Sequence, residues 1–346
     1  MISSLSIYRA SGSDPFENLA REQILLEQGG EAECILYLWQ NENTVVIGRN
    51  QNPWKECATS LLEEEGGKLA RRLSGGGAVF HDLGNLNFTF LLSQGDFDTE
   101  RQLKVIQTAL KSFGIDTEIS GRNDLTANAQ KYSGNAYYKN GVQAYHHGTL
   151  LISADMSKLS RYLTPSKAKM QSKGVDSVRS RVVNLKELNP EITIEGLKAA
   201  LAEAFSKVYG VPTNTLTESG LDQNRIAELT CRNRSWEWNF GQKMPFTMEC
   251  GNRFPWGTIQ IQLEIQHGLI HSAQVWTDAM DFRLAPKIRQ ALTGCAFTKD
   301  ALSERLTNEP DILQLLLSNL IESAGLNRPD LSHHRAYGSV HGGSIA

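Results

Sequence analysis

At 346 residues the chain is long enough for two unequal domains and short for three. Its 40% hydrophobic and 21% charged content is that of an ordinary globular protein, and no apolar run approaches the roughly 18 residues that a membrane span needs. A formal net charge of −3 argues against nucleic-acid binding driven by overall charge and leaves room only for a local basic patch.

The opening MISSLSIYRASGSDPF lacks the apolar core of a signal peptide. Asp14-Pro15 supplies an N-cap and first helical residue, Phe16, Leu19, Ala20 and Ile24 follow at helical spacing, and Gly29-Gly30 end the helix. Two apolar runs, Cys34–Trp39 and Thr44–Gly48, read as strands. A helix is expected over Trp54–Glu65, stopped by Gly66-Gly67, and then a short strand over Lys68–Arg72. Leu86–Leu92 alternates and is rich in aromatics, and the helix after it sets Leu103, Ile106, Leu110 and Phe113 on one face before closing at Gly114. Thr117–Leu125 reads as extended. Lys131–Tyr138 and Val142–Ser153 read as strands joined at Lys139-Asn140-Gly141, Asn-Gly being a strong hairpin signal. The class that follows is α+β, with a mixed, largely antiparallel sheet and flanking helices.

Periodicity disappears over Pro165–Val182, where Lys167, Lys169, Lys173, Arg179 and Arg181 face Asp176 alone around a central Gly174. A helix over Leu197–Val208 ends at Gly210, and Ser235–Phe240 is a dense aromatic cluster. A boundary near residue 245 separates a larger unit, 1–245, from a small α+β unit, 246–325. The smaller unit is a meander turning at His267-Gly268, with helices near Ala285–Leu292 and Asp311–Ala324. Residues 326–346, rich in Gly, Ser and His, are expected to be a flexible tail. The five cysteines are odd in number and scattered, with no CxxC, and read as reduced thiols of a cytosolic protein.

Chemistry concentrates in Arg71–Asp82, RRLSGGGAVFHD. Three successive glycines suit a backbone that bends sharply or is closely approached, and two adjoining guanidinium groups make an anion the expected visitor. Neither Gly-Lys-Ser/Thr nor G-x-G-x-x-G is present, so this is no Walker A loop or dinucleotide fingerprint. The amides of Gly77, Ala78 and Val79 can donate to phosphate or carboxylate oxygens with Arg72 as a donor fork, the competing reading being a tight turn. His146 and His147 are neighbours on a strand and face opposite ways, so at most one can serve a site, the competing reading being a structurally hydrogen-bonded strand histidine. Asp124 ends an extended run, where a carboxylate can hold Mg²⁺ through water or cap a turn. Lys131 opens KYSGNA, either as a solvated lysine or as a partner of the glycine stretch, and the basic loop around Gly174 suits a flap over phosphates. No cysteine adjoins these stretches and no G-x-S-x-G occurs, which leaves cations, amides and one carboxylate for positioning and charge stabilisation.

Taken in order, RRLSGGGAVFHDLGN (71–85), SGRND (120–124), KYSGNA (131–136), HHGTLL (146–151), SVRSRV (177–182) and SWEWNFG (235–241) resemble bacterial lipoate–protein ligase A, and the resemblance runs to about residue 325. It implies a biotin/lipoyl protein ligase-like catalytic domain and a small accessory domain that swings between two steps. In the first, lipoate and Mg-ATP give lipoyl-AMP and pyrophosphate. In the second, the acyl group passes to a lysine of an apo lipoyl domain, on a 2-oxo acid dehydrogenase E2 subunit or the glycine-cleavage H protein. Carried over by residue, Arg72, Ser74, Gly75, Gly76, Gly77, Ala78, Val79, Phe80, Lys131, His147 and Gly174 become ATP and lipoate contacts. Lys131 is then the catalytic cation, 71–77 matches the lipoate-binding loop and 172–182 the adenylate-binding loop, and the carboxylate for Mg²⁺ stays Asp124 on the reading of the residues above. ATP, Mg²⁺ and lipoate enter as substrates with no tightly bound prosthetic group. Neither nucleic acid nor membrane is a partner, and the location implied is cytoplasmic.

Two other functions fit parts of this pattern. An ATP-independent octanoyl or lipoyl transferase of related fold needs an acyl-carrier donor and usually a cysteine, for which Cys57 or Cys231 are the candidates. A noncatalytic lipoate-storage or carrier-docking protein needs neither Lys131 nor Arg72. The Gly-Arg-Gly-type loop of biotin ligases is absent. Burying about seven methylene-like groups is worth roughly 5 kcal/mol. Octanoate keeps most of that, and apolar pockets separate close analogues by only about 1–3 kcal/mol, so lipoate and octanoate stay open.

Overall fold

The computed structural model describes residues 2–120, 124–164, 182–241 and 247–323. Gly174 with the rest of 165–181, Gly121 to Asn123, the boundary at 245 and the tail 326–346 lie outside the described residues.

In chain order the strands are β1 (Ser4–Arg9), β2 (Glu33–Trp39), β3 (Thr44–Ile47), β4 (Lys68–Arg71), β5 (Val79–His81), β6 (Asn85–Ser93), β7 (Glu118–Ser120), β8 (Asp124–Ala127), β9 (Gln130–Lys139), β10 (Gln143–Leu151), β11 (Thr213–Thr215), β12 (Met248–Phe254), β13 (Gly257–Gln266) and β14 (Leu269–Thr277). Eight of them form one mixed sheet in the order β11-β1-β2-β6-β10-β9-β8-β7. β1 runs parallel to β2 and β11, and the other pairings are antiparallel. The sequence reading has no β1. That strand and β2 flank the helix Pro15–Gln28 as a β-α-β unit, so the two parallel pairings of the sheet both lie at β1 and the remaining neighbours are antiparallel.

The sheet is covered on both faces, which is why β2 reads as an unbroken apolar run. Cys34, Leu36 and Leu38 join Phe88 and Phe90 of β6 under the helices Thr99–Lys111 and Ile194–Tyr209. Ile35, Tyr37 and Trp39 face the other way, with Leu91 and Tyr145, towards Pro15–Gln28 and Gln223–Arg234. Asp14 caps the first helix, accepting from the amides of Phe16 (2.9 Å) and Glu17 (3.2 Å).

The expected helix over Trp54–Glu65 is two short helices, Pro53–Glu56 and Thr59–Glu64. Cys57 is pulled into an extended bridge with Leu163, and the Ala58 amide donates to the Tyr162 carbonyl at 2.9 Å, so the chain leaves helical geometry between them. The Asn-Gly turn joins β9 and β10 as the sequence indicates.

A small sheet, β4-β3-β5, holds the glycine stretch: the chain leaves β4 at Arg71 and returns in β5 at Val79. Residues 248–323 build their own core from β12–β14 and the helices Leu284–Leu292, Lys299–Arg305 and Pro310–Ser323, with Ile259, Ile261, Leu263, Ile288 and Leu316 at its centre. The middle helix of this C-terminal unit, capped by Thr298, is absent from the sequence reading. The unit seats on the glycine stretch. The Gly76 amide donates to the Ala279 carbonyl (3.2 Å), the Thr277 amide to the Asn50 carbonyl (2.7 Å), and Tyr138 stacks on Phe282 at 4.7 Å.

Candidate active site

A cavity of about 240 Å³ opens where the small sheet meets β9 and β10. Its apolar wall is Leu19, Trp39, Val46, Val79 and Ala136, and its polar lining includes Arg72, His81, Asn87, Lys131, Asn135, His147 and Thr149. Gly77 and Ala78 complete one side, and their amides have no partner among the described residues.

The two arginines are structural in their contacts. Arg71 spends its guanidinium on the carbonyls of Gly48, Arg49, Gln51, Trp238 and Asn239, tying the turn after β3 to the short helix Trp236–Asn239. Burial, with a smaller push from Arg49, lowers its pKa to about 9. Arg72 reaches the cavity, yet it donates to Ser74 Oγ (2.9 Å) and to the carbonyls of Val46 (3.2 Å), Gly75 (2.7 Å) and Gly77 (2.8 Å). At most one of its five N–H groups is left for a ligand. Rather than presenting a free fork to phosphates, it shapes the loop from inside.

The glycines answer to backbone as much as to any ligand. A Cβ on Gly75 would lie 2.3 Å from the Ala279 carbonyl oxygen and 2.6 Å from that of Met280, and Gly76 holds φ +87°. A Cβ on Gly77 would meet nothing within 4 Å. The close approach that the sequence suggests at 75–76 is thus made by the C-terminal unit, and the open amides begin at Gly77. Phe80 departs from its expected place: β5 alternates, so Val79 and His81 face the cavity while Phe80 packs with Val45, Ile47 and Tyr162 beneath it.

Lys131 folds over Gly134, where an added Cβ would sit 3.2 Å from its Nζ, and pairs with Asp124 Oδ1 at 2.6 Å. A metal-holding Asp124 therefore has a bound cation already, and no group of three or more His, Cys, Asp or Glu that could hold a metal ion occurs among the described residues. The pair does not fit a resident magnesium site.

His146 and His147 do part company. His146 is buried between Gln102 Oε1 (3.0 Å) and Asn135 Oδ1 (2.9 Å), whereas His147 lines the cavity. His147 belongs to a buried chain: Trp39 Nε1 donates to Thr89 Oγ1 (3.0 Å), Thr89 donates to Glu22 Oε1 (2.7 Å), and His147 Nδ1 donates to the same oxygen (2.8 Å). The other ring nitrogen meets Ser74 Oγ at 2.8 Å, which takes the Arg72 Nε–H. Ser74 is accordingly behind the cavity wall, fully buried, and not in its lining.

These geometries meet their match among known proteins. The model of the lipoyl protein ligase A/B catalytic domain matches residues 14–206, and that of the bacterial lipoate protein ligase C-terminus matches 243–321. The chain belongs to the lipoate–protein ligase family. Among solved structures, P. falciparum LipL1 in complex with lipoate is 28% identical, with 92% of this chain and 100% of that one covered and a TM-score of 0.79. The bipartite lipoate protein ligase of Thermoplasma acidophilum, described with its E2 lipoyl domain, is 26% identical over 72% of this chain and 100% of that one, with a TM-score of 0.61. A lipoate-protein ligase A bound with ATP is 26% identical over 70% and 99%, with a TM-score of 0.59. As a lipoate–protein ligase family member the chain is an enzyme, with the mixed α+β architecture of that family.

Sequence reasoning gives no role to Glu22, Trp39, His81, Asn87 or Asn135, all of them at or behind the cavity. His81 is the sharpest omission. It is buried, accepts from Asn41 Nδ2 at Nδ1 (3.2 Å), and its Nε2, in the cavity, has no partner among the described residues. Burial, then the charges of Arg72 and His147, drop its pKa to about 3, so the ring is neutral and Nε2 carries the hydrogen. Among the described residues the Asn87 Nδ2 donor is likewise unpartnered. A signal existed for both: Val79 and His81 share parity on β5, and Asn85, Asn87 and Thr89 are polar at alternate positions of an apolar strand.

Proposed function

We propose that the chain is an ATP-dependent lipoate–protein ligase, which joins lipoate to ATP as lipoyl-AMP with release of pyrophosphate and then acylates a lysine of a lipoyl domain. The observation that carries this reading is the cavity's donor set. Lys131, the Gly77 and Ala78 amides, His81 Nε2–H and Asn87 Nδ2 offer one cation and several neutral donors beside an apolar wall. Such a set holds an acyl carboxylate and a phosphate near each other and stabilises the charge that builds as they join. Lys131 takes the catalytic place, its ammonium passing from Asp124 to the oxygens of the reacting groups. Magnesium enters with ATP and is held by phosphate oxygens, and no step here runs through Asp124 as its ligand.

Neighbours described with lipoate, with ATP and with an E2 lipoyl domain support lipoate and ATP as substrates and lipoyl domains as acceptors. The glycine-cleavage H protein and a cytoplasmic location belong to the same proposal. Against the transferase reading stands the chemistry of the thiols. No cysteine lines the cavity, Cys57 is buried in the cluster beneath β5 with its pKa pushed up by burial to about 12, and Cys231 is on the outer helix Gln223–Arg234.

The test is incubation with lipoate, Mg-ATP and an apo lipoyl domain, read by the intact mass of the domain. One lipoyl addition is expected with ATP, none without it, and none from a folded Lys131→Ala protein. Transfer from an acyl carrier protein without nucleotide, lost on changing Cys57 or Cys231, replaces this reading with the transferase. Lipoate binding with no ATP turnover replaces it with storage.

A further inference from the structure

The polar groups behind His81 form a buried chain that ends at the cavity. Asn18, on the helix Pro15–Gln28, and Asn41, in the turn between β2 and β3, are fully buried, and His81 on β5 nearly so. Asn18 Nδ2 faces three oxygens: the carbonyls of Gln40 (2.8 Å) and Gly12 (3.2 Å) and Oδ1 of Asn41 (3.1 Å). The Tyr37 hydroxyl lies 3.2 Å from Asn18 Oδ1 on the other side. Asn41 Nδ2 in turn meets His81 Nδ1 at 3.2 Å.

The direction of the hydrogens along this chain follows from its first link. Backbone carbonyls only accept, so the Asn18 atom beside Gly12 and Gln40 is its nitrogen. The Asn41 atom facing that nitrogen is therefore its oxygen, because its own nitrogen would set two donors together. That turns Asn41 Nδ2 onto His81, whose Nδ1 must accept, and the one ring hydrogen is left on Nε2. The Trp39 ring packs edge-on against the imidazole, 6.1 Å away at 76°. No member of the chain carries a formal charge. His81 thus reaches the cavity as a fixed, neutral donor, with no partner for Nε2 among the described residues.

We infer that Asn41 is a positioning residue for the acyl transfer, locking His81 as an Nε2–H donor to one oxygen of the acyl substrate. The substrate's identity rests on the ligase reading above, whereas the tautomer rests on the hydrogen-bond geometry. One carboxylate oxygen attacks the α-phosphorus of ATP with loss of pyrophosphate, and the other becomes the carbonyl oxygen of the adenylate. When the acceptor amine adds to that carbonyl, the C–N bond forms and negative charge gathers on the oxygen held by His81, where a fixed donor stabilises it. AMP then leaves with the electron pair of the broken C–O bond, and the amine gives up its proton. A neutral donor suits both steps, since a second cation beside Lys131 would draw off the electron pair with which the carboxylate attacks.

The experiment uses the whole chain labelled with nitrogen-15 at histidine, the His81 signals being assigned by their loss in His81→Leu. At neutral pH the wild type should show hydrogen on Nε2 and none on Nδ1, and lipoate alone should shift Nε2 more than Nδ1. Asn41→Leu leaves Asn18 both of its backbone carbonyls, and should lose the single tautomer. Its kcat for lipoyl-domain modification should fall about tenfold, short of the roughly 100-fold that outright loss of such a donor costs, with KM for lipoate changed less than about threefold. Asn41→Ala is read in the same way if the leucine variant does not fold. In a His81→Leu background Asn41→Leu should cost nothing further, whereas a residue that only supported the fold would add its loss to both backgrounds. Hydrogen on Nδ1 in the wild type, His81 signals indifferent to lipoate, full kcat in folded Asn41→Leu, or losses that multiply in the double variant overturn the inference. Absence of ATP-dependent turnover in the wild type strikes the ligase reading instead, and the response of His81 to lipoate still decides this one.

Discussion

Glu22 is 2% exposed on the inner side of the helix Pro15–Gln28, and its Oε1 accepts both the Thr89 hydroxyl and His147 Nδ1–H. Through His147 and Ser74 that oxygen fixes the position of Arg72, and Arg72 in turn holds the Gly75 and Gly77 carbonyls. A carboxylate outside the cavity thereby sets the shape of the loop inside it. Removing it in Glu22→Ala leaves two buried donors without an acceptor, at about 1–3 kcal/mol each. The expected loss is about 2–6 kcal/mol in urea unfolding, with Glu22→Gln losing less because Oε1 remains. Equal stability of Glu22→Ala and the wild type would show that the chain of bonds carries no energy. The residue was legible in part. Asn18 and Glu22 are four apart amid Leu19, Ala20 and Ile24–Leu26, a polar pair on a buried helix face, which asks for partners; nothing in the sequence says that the partner is 125 residues away on β10.

Among the elements, the glycine stretch shows best what sequence can and cannot separate. Consecutive glycines announce that something comes close, and the approaching object is the Ala279–Met280 backbone at Gly75, with free space at Gly77. The two positions are indistinguishable as letters, because the difference lies in a unit more than 200 residues further on. They should differ in mutation. Gly75→Ala forces its methyl onto backbone oxygens that cannot rotate away, so overpacking of about 1–3 kcal/mol is expected. The Gly76 and Thr277 amides, whose bonds cross to the other unit, should then exchange hydrogen faster. Gly77→Ala should leave both unchanged. Equal exchange in the two variants would mean that the seam does not depend on this contact. Sheet elements were more legible than the loop: β2, β6, β9 and β10 follow apolar runs and an Asn-Gly turn, while β1 and the Lys299–Arg305 helix carry too little local pattern to stand out.

At the scale of the whole molecule, two buried histidines set how stability responds to acid. His146 is fully buried among Phe88, Phe90 and Tyr137, and burial, with a smaller contribution from His147, takes its pKa to about 3. His81 is also at about 3. The unfolded chain protonates both near pH 6.5. Between that pH and about 3 the unfolded state holds protons that the folded state refuses, so stability is full above 6.5 and falls as pH falls, by about 1.4 kcal/mol per pH unit for each ring. Asp14 enters later. Burial raises its carboxyl pKa, but Lys68 and the Glu17 amide outweigh that and leave it below the usual range, so its contribution is whole above about pH 4 and is lost only as pH falls below that. From pH 6.5 to 5 the two histidines alone should remove roughly 4 kcal/mol. Because the two units have separate cores and need not unfold together, the measurement is hydrogen exchange of the slowest β10 amides, which reports the larger unit. His146→Gln keeps a polar group between Gln102 and Asn135 and should cut the loss by about half, whatever it does to stability at neutral pH. A loss of full size in that variant would place the acid sensitivity elsewhere and would mean that the ring between Phe88 and Tyr137 takes up its proton without unfolding.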